Sequence, residues 1–110
     1  MITSDQAAAW ASWFRALGDP TRIRLLHALA TARRPMRVGA LVERVDVGQS
    51  TVSHHLRQLA DVGFVQLRRE GTTTWCEINR GCFAAFPQAA ASIMDRGRAE
   101  RSTDGGADGG

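Results

Sequence analysis

A chain of 110 residues, 44% of them hydrophobic, is one domain with a modest core, so a second copy is a reasonable way to cover what a monomer leaves wet. No apolar run approaches bilayer length and no signal-peptide pattern opens the chain, so a soluble, cytoplasmic protein with no membrane partner is expected. All 14 basic residues are arginine, against 11 acids, and the excess is uneven: Met1 to Cys82 holds eleven arginines and seven acids, Phe83 to Gly110 three and four. Such a balance permits an anionic partner, although a solvated basic surface produces the same count.

Thr3 and Gln6 have capping-box spacing ahead of a run in which Trp10, Trp13, Phe14 and Leu17 share one helical face, predicting a first helix over Ser4 to Ala16 that closes at Gly18. Two tryptophans and a phenylalanine exceed what a terminal helix needs for a small core, so this face is expected to meet a partner as well. "GDPTRIRLLHALA" places Asp19 as N-cap and Pro20 at the first helical position of a second helix running to Ala32, with Ile23, Leu26 and Leu29 or Ala30 inward. His27, alone in this run, is read as structural. "ARRPMR" reads as a basic loop, and "VGALVERV" as a short third helix burying Leu41 and Val45.

The fourth helix is predicted over Gln49 to Ala60, with Gly63 as its left-handed stop. At 100° per residue, Val52, Leu56 and Leu59 cluster on one side, and Ser50, Ser53, His54 and Arg57 on the other. A helix-turn-helix buries one stripe of its second helix and projects the other into a DNA major groove, where short hydroxyl and amide side chains approach phosphates and base edges. Gln49, Ser50, Thr51, Ser53, His54 and Arg57 are therefore the candidate DNA-reading residues. His55, at the margin of the apolar stripe, is read as a hydrogen-bonded packing residue behind the helix.

"FVQLRRE", a turn at Glu70-Gly71, and "TTTWCEI" read as a β-hairpin in which Val65 and Leu67 alternate with Gln66 and Arg68. A basic hairpin directly after a reading helix is a wing, so Arg68 and Arg69 are expected to hold the flanking DNA backbone. "RGCFAAFPQAAASIMDRG" carries a last apolar helical stripe in which Pro87 either opens the helix or kinks it. Trp10, Trp13, Phe14, Phe86, Ile93 and Met94, on the first and last helices, are the candidate dimer interface. The domain is expected to span 1–97, followed by a disordered, glycine-rich tail over 98–110. The fold class is thus mostly α with a small β-hairpin, a winged helix-turn-helix that forms a homodimer through its first and last helices. An enzyme is disfavoured: there is no phosphate loop, and no nucleophile stands beside a base with an orienting acid.

The order "LGDPTRIRLLHAL", "QSTVSHHLRQLADVGFV" and "LRREGTTTWCEIN" resembles the ArsR/SmtB family of bacterial winged-helix repressors over Phe14 to Asn79. The resemblance implies a homodimer that binds double-stranded DNA at an inverted-repeat operator and represses until an effector loosens it. It also implies a recognition helix at Gln49 to Ala60 and a wing at Arg68 to Thr73. The chain departs from the family's metal patterns. Arg37 and Gly39 stand where many members carry a Cys-x-Cys pair, and Phe83 to Gly97 holds no histidine and only Asp95 as a carboxylate. Three effector readings stay open. Cys76 and Cys82 could form a non-standard site for a transition metal such as nickel, zinc or cobalt. They could instead be a thiol-redox switch. Or neither thiol senses anything, and protein level or an accessory protein sets DNA occupancy. The rival from another class is a winged-helix protein-interaction module that acts with a partner protein and reads no DNA.

Overall fold

A computed structural model describes residues 1–94. The elements run α1 (Ser4–Ala16), α2 (Pro20–Ala32), β1 (Met36–Arg37), α3 (Val38–Val42), α4 (Gln49–Asp61), β2 (Val65–Glu70), β3 (Thr73–Ile78) and α5 (Arg80–Met94). The anticipated tail, 98–110, lies outside the described residues, as do Asp95 and Gly97.

Helix boundaries follow local chemistry. At α1 the Thr3 hydroxyl accepts from the Gln6 N–H at 3.0 Å and the Gln6 side chain accepts from the Thr3 N–H at 2.9 Å, a reciprocal capping box. At α2 one Asp19 carboxylate oxygen accepts from the N–H groups of Thr21 (2.8 Å) and Arg22 (3.2 Å). Pro20 then opens the helix where its missing N–H costs nothing. The end of α4 is a Schellman motif: Phe64 N–H donates to Leu59 O and Gly63 N–H to Ala60 O, both at 3.0 Å, with Gly63 at φ 88°. Both Leu59 and Phe64 are buried, supplying the apolar contact that accompanies this cap.

The expected hairpin is one part of a three-stranded antiparallel sheet, order β1-β3-β2. The third strand, Met36–Arg37, lies inside what the sequence suggested was a basic loop, and two residues are too few to show alternation. Met36 and Leu67 both pair with Cys76, from opposite sides of β3, so this row closes one side of the core. Leu25 and Leu29 of α2, Leu41 of α3, and Val52, Leu56 and Leu59 of α4 fill the rest and are essentially inaccessible.

One expectation changes. Ile23 was expected inward but is 52% exposed, because the stripe α2 buries is Leu25, Leu26, Ala28 and Leu29. Of the two placements open for Pro87, the structure has it inside α5, which leaves the Phe83 carbonyl without its helical donor. The aromatic residues of the terminal helices reach into the core: Trp13 and Phe86 stand 5.9 and 5.7 Å from the Phe64 ring and 6.1 Å from each other. Phe14 adds an edge contact with Phe86 at 5.2 Å while staying 39% exposed.

Candidate nucleic-acid interface

Helix α4 divides as its sequence predicts. Val52, Leu56 and Leu59 are buried, while Gln49, Ser50, Thr51, His54 and Arg57 are exposed and Ser53 is half-buried. Gly48 occupies the N-cap and offers no side-chain acceptor. The first N–H groups of the helix therefore keep their donor capacity for water or for an anion, and the helix dipole favours negative charge at that end.

A side-chain relay holds α4 from behind. The Arg22 Nε–H donates to His55 Nδ1 at 3.1 Å, and its Nη1 donates to Ala16 O at 3.1 Å at the end of α1. With Nδ1 accepting, the neutral ring carries its proton on Nε2, which faces Asp19 Oδ1 at 4.0 Å. Asp19, Arg22 and His55 thus join the α2 N-terminus to the back of α4, which makes His55 the packing residue expected. For Asp19, burial pushes the carboxyl up. The N–H bonds from Arg22 and Thr21, together with the His55 ring that faces it and the Arg22 charge, outweigh that and hold it below the ordinary value.

The wing turns at Gly71-Thr72, one residue later than anticipated, since Glu70 pairs with Thr73. Gly71, at the first central position, has φ 60°, which a two-residue type II′ turn requires. Register then separates the two candidate arginines. Arg69 pairs with Thr74, in the alternation that also carries Leu67 and Cys76 toward α4. Arg68 pairs with Trp75 on the opposite face, its guanidinium 5.9 Å from the indole centroid and its Nε 3.3 Å from Glu70.

One open groove of about 450 Å³ joins the start of α4 to the wing. Gln49, Ser53 and Arg57 line it from the helix, and Arg69 and Thr74 from the sheet. Leu56 and Leu67 form its floor. No carboxylate lines it, and Arg37 adds a further cation at the edge where β1 meets α3. Sequence reasoning missed Arg37 because its strand was invisible. It also passed over Trp75, which pairs in register with Arg37 on one side and Arg68 on the other. The alternation of Thr73, Trp75 and Glu77 already placed this tryptophan away from the core.

The two thiols stand apart from this groove. Cys76 is fully buried, and burial first, then the neighbouring Glu77 charge, pushes it up to about 12. Cys82 is half-buried; its thiol is also raised by burial and approaches Val62 O at 3.8 Å. Among the described residues no three His, Cys, Asp or Glu side chains gather in a way that could hold a metal ion. Cys76 and Cys82 alone therefore do not make up a ligand set within one protomer. Among these residues no helix is long and apolar enough to cross a membrane.

The model of the family of bacterial regulatory proteins, arsR family, matches residues 19–67, the stretch from the α2 cap through the reading helix into β2. A transcriptional repressor SmtB homolog of Synechocystis sp. is 40% identical over 75 residues, covering 68% of this chain and 55% of that protein. The crystal structure of an ArsR family transcriptional regulator superposes with TM-score 0.68 at 26% identity, covering 86% of this chain and 92% of that one. Along this stretch the chain is similar to the ArsR family, a family of DNA-binding transcriptional regulators rather than enzymes, and its fold is the winged helix of that solved regulator. A "Probable mercury resistance operon repressor" of Streptomyces lividans is 43% identical over 61 residues, covering 56% of this chain and 47% of that protein. The chain thus spans about half the length of these curated relatives.

Proposed function

We propose that the protein is a homodimeric transcriptional repressor that binds an inverted-repeat operator in double-stranded DNA. Gln49, Ser50, Thr51, Ser53, His54 and Arg57 enter the major groove, and Arg69, with Arg68 behind it, holds the adjacent backbone. The observation that carries the reading is the acid-free groove joining Gln49, Ser53 and Arg57 to Arg69 and Thr74. Hydroxyls, an amide and guanidiniums on a surface without carboxylates suit phosphate oxygens and base edges. What supports the dimer is the apolar surface of α1 and α5, where Phe14, Ile93 and Met94 are 39%, 44% and 74% exposed beside half-buried Trp10, Trp13 and Phe86. The test is titration of the protein onto its own promoter fragment and a scrambled duplex at several salt concentrations. Salt-sensitive binding with preference for the promoter, two chains per site, is expected. Equal affinity for both duplexes would leave the protein-interaction module as the better account.

A second reading, that a transition metal sets DNA affinity, draws on the mercury-resistance name of the Streptomyces relative. Cys82, the more accessible thiol, is its first donor and Cys76 its second; the remaining ligands would come from elsewhere in the dimer. Calorimetric titration of the reduced protein with nickel, zinc and cobalt, beside a Cys76→Ser/Cys82→Ser variant, decides it. Tight binding lost in the variant supports the pair, and no binding tighter than about micromolar removes these three metals.

A further inference from the structure

We propose that a second cavity, at the base of the wing, binds a small organic carboxylate with an apolar body, and that this ligand is an effector of the DNA-facing surface. The cavity measures about 530 Å³, within the ordinary range of small-molecule sites. The end of α2, the turn into β1, the end of β3 and the start of α5 line it, and it shares no lining residue with the groove at α4. Leu29, Ile78 and Phe83 give it apolar walls, and Arg33, Arg34 and Arg80 give it charge.

Three observations point to an anion. First, among the described residues none of these three arginines makes an ion pair or a side-chain hydrogen bond, so their donors are free to meet a ligand. Second, Arg33 ends α2 in the left-handed region, φ 58°, the one non-glycine residue described with positive φ. Glycine or asparagine would close that helix with less strain, and strain of this kind gathers where a side chain is held for use. Third, the opening N–H groups of α5 add positive potential beside Arg80. Against three guanidiniums the lining sets a single carboxylate, Glu77, so a positive surplus remains.

The floor then selects the kind of anion. A planar carboxylate matches the guanidinium fork, and an attached ring or alkyl chain covers Leu29, Ile78 and Phe83, which inorganic phosphate would leave wet. The two linings share no residue, although Pro35 of this cavity and Arg37 of the groove are only two residues apart, and it is the apolar walls here that suit a compact anion better than a hydrated polyanion. The occupant would touch α5 and the strand that continues into the wing. A ligand that prefers one disposition of these elements changes DNA affinity by the factor that DNA changes its own. The binding site stands without the DNA reading; the effector role rests on it.

The experiment is calorimetric titration of the full chain with 4-phenylbutyrate, 1-naphthoate and the uncharged 4-phenylbutyramide. At least one carboxylate is expected to bind once per chain, with the amide at least about ten-fold weaker than its acid. Arg34→Ala/Arg80→Ala is expected to weaken the carboxylate at least about ten-fold, and Ala84→Trp, which narrows the cavity from α5, to do the same with both charges kept. No carboxylate binding tighter than about 1 mM, or binding unchanged in both variants, overturns the site. Promoter affinity is then measured with and without the bound carboxylate, and a shift of about three-fold or more is expected. Carboxylate binding with unaltered promoter affinity overturns the effector role. A protein that binds no promoter even without ligand fails the regulator reading and the effector role with it, while the calorimetry still decides the site.

Discussion

The two ends of β3 hold two basic cavities of opposite character. At the wing tip the groove is walled by Gln49, Ser53 and Thr74 and contains no carboxylate; at the wing base the cavity is floored by Leu29, Ile78 and Phe83 and faces one acid, Glu77. Guanidinium groups are common to both, so charge alone does not say what each end would hold. Polar walls suit a long, hydrated polyanion that is read along its length, whereas apolar walls suit a compact anion that buries a hydrophobic body.

The largest way to break the comparison is Leu56→Ala. Leu56 is fully buried yet forms the floor of the tip groove, so the substitution is expected to cost about 2 to 5 kcal/mol of stability, read from urea unfolding. Survivors should lose promoter binding before they lose anything at the wing base. Arg57→Ala comes next, with an expected loss of about 1 to 3 kcal/mol on the promoter and less on scrambled DNA. Arg69→Ala should weaken both duplexes alike and flatten the salt slope by about one unit. Equal losses on the two duplexes for Arg57→Ala would remove it from base readout.

Asp19 tests the support behind the groove. Asp19→Ala removes the α2 cap and is expected to cost about 1 kcal/mol near neutral pH. Because the folded carboxyl is held below its unfolded value, its charge stabilises the protein fully above roughly pH 4 and loses that contribution as pH falls through the folded value. Asp19→Asn, which keeps a capping oxygen, should therefore trail the wild type at pH 7 and converge with it in acid. A gap that persists to pH 2 would assign the effect to shape instead of charge. At the wing turn itself, Gly71→Ala puts a side chain at φ 60° and is expected to cost about 1 to 2 kcal/mol, seen as a melting shift of several degrees.

Much of this was legible because it is local. The capping box at Thr3 and Gln6, the Asp19-Pro20 start and the Gly63 stop each depend on residues within one helical turn, and all three formed where the sequence placed them. The division of α4 was equally plain, since a period of 3.6 sorts Val52, Leu56 and Leu59 from Ser50, His54 and Arg57 without reference to anything else. Helix α2 shows the limit of that argument. Ile23 and Leu25 are equally apolar, and only the position of α4 and the sheet decided that Leu25 is buried and Ile23 is not.

What the sequence by itself determined is therefore what lies along the chain: the helix ends and the polar face of α4. The tertiary structure alone decided what lies across it. It brought Arg22, 33 residues away, to the ring of His55, and it paired two residues after Pro35 with β3, which set Arg37 at the groove. It turned Arg68 to the far side of the sheet from Arg69 and closed a basic cavity from the ends of α2, β3 and α5. The reason is range. Caps and periodicity act over a few residues and leave a pattern in the sequence, while contacts between distant segments are chosen by how the packed elements meet.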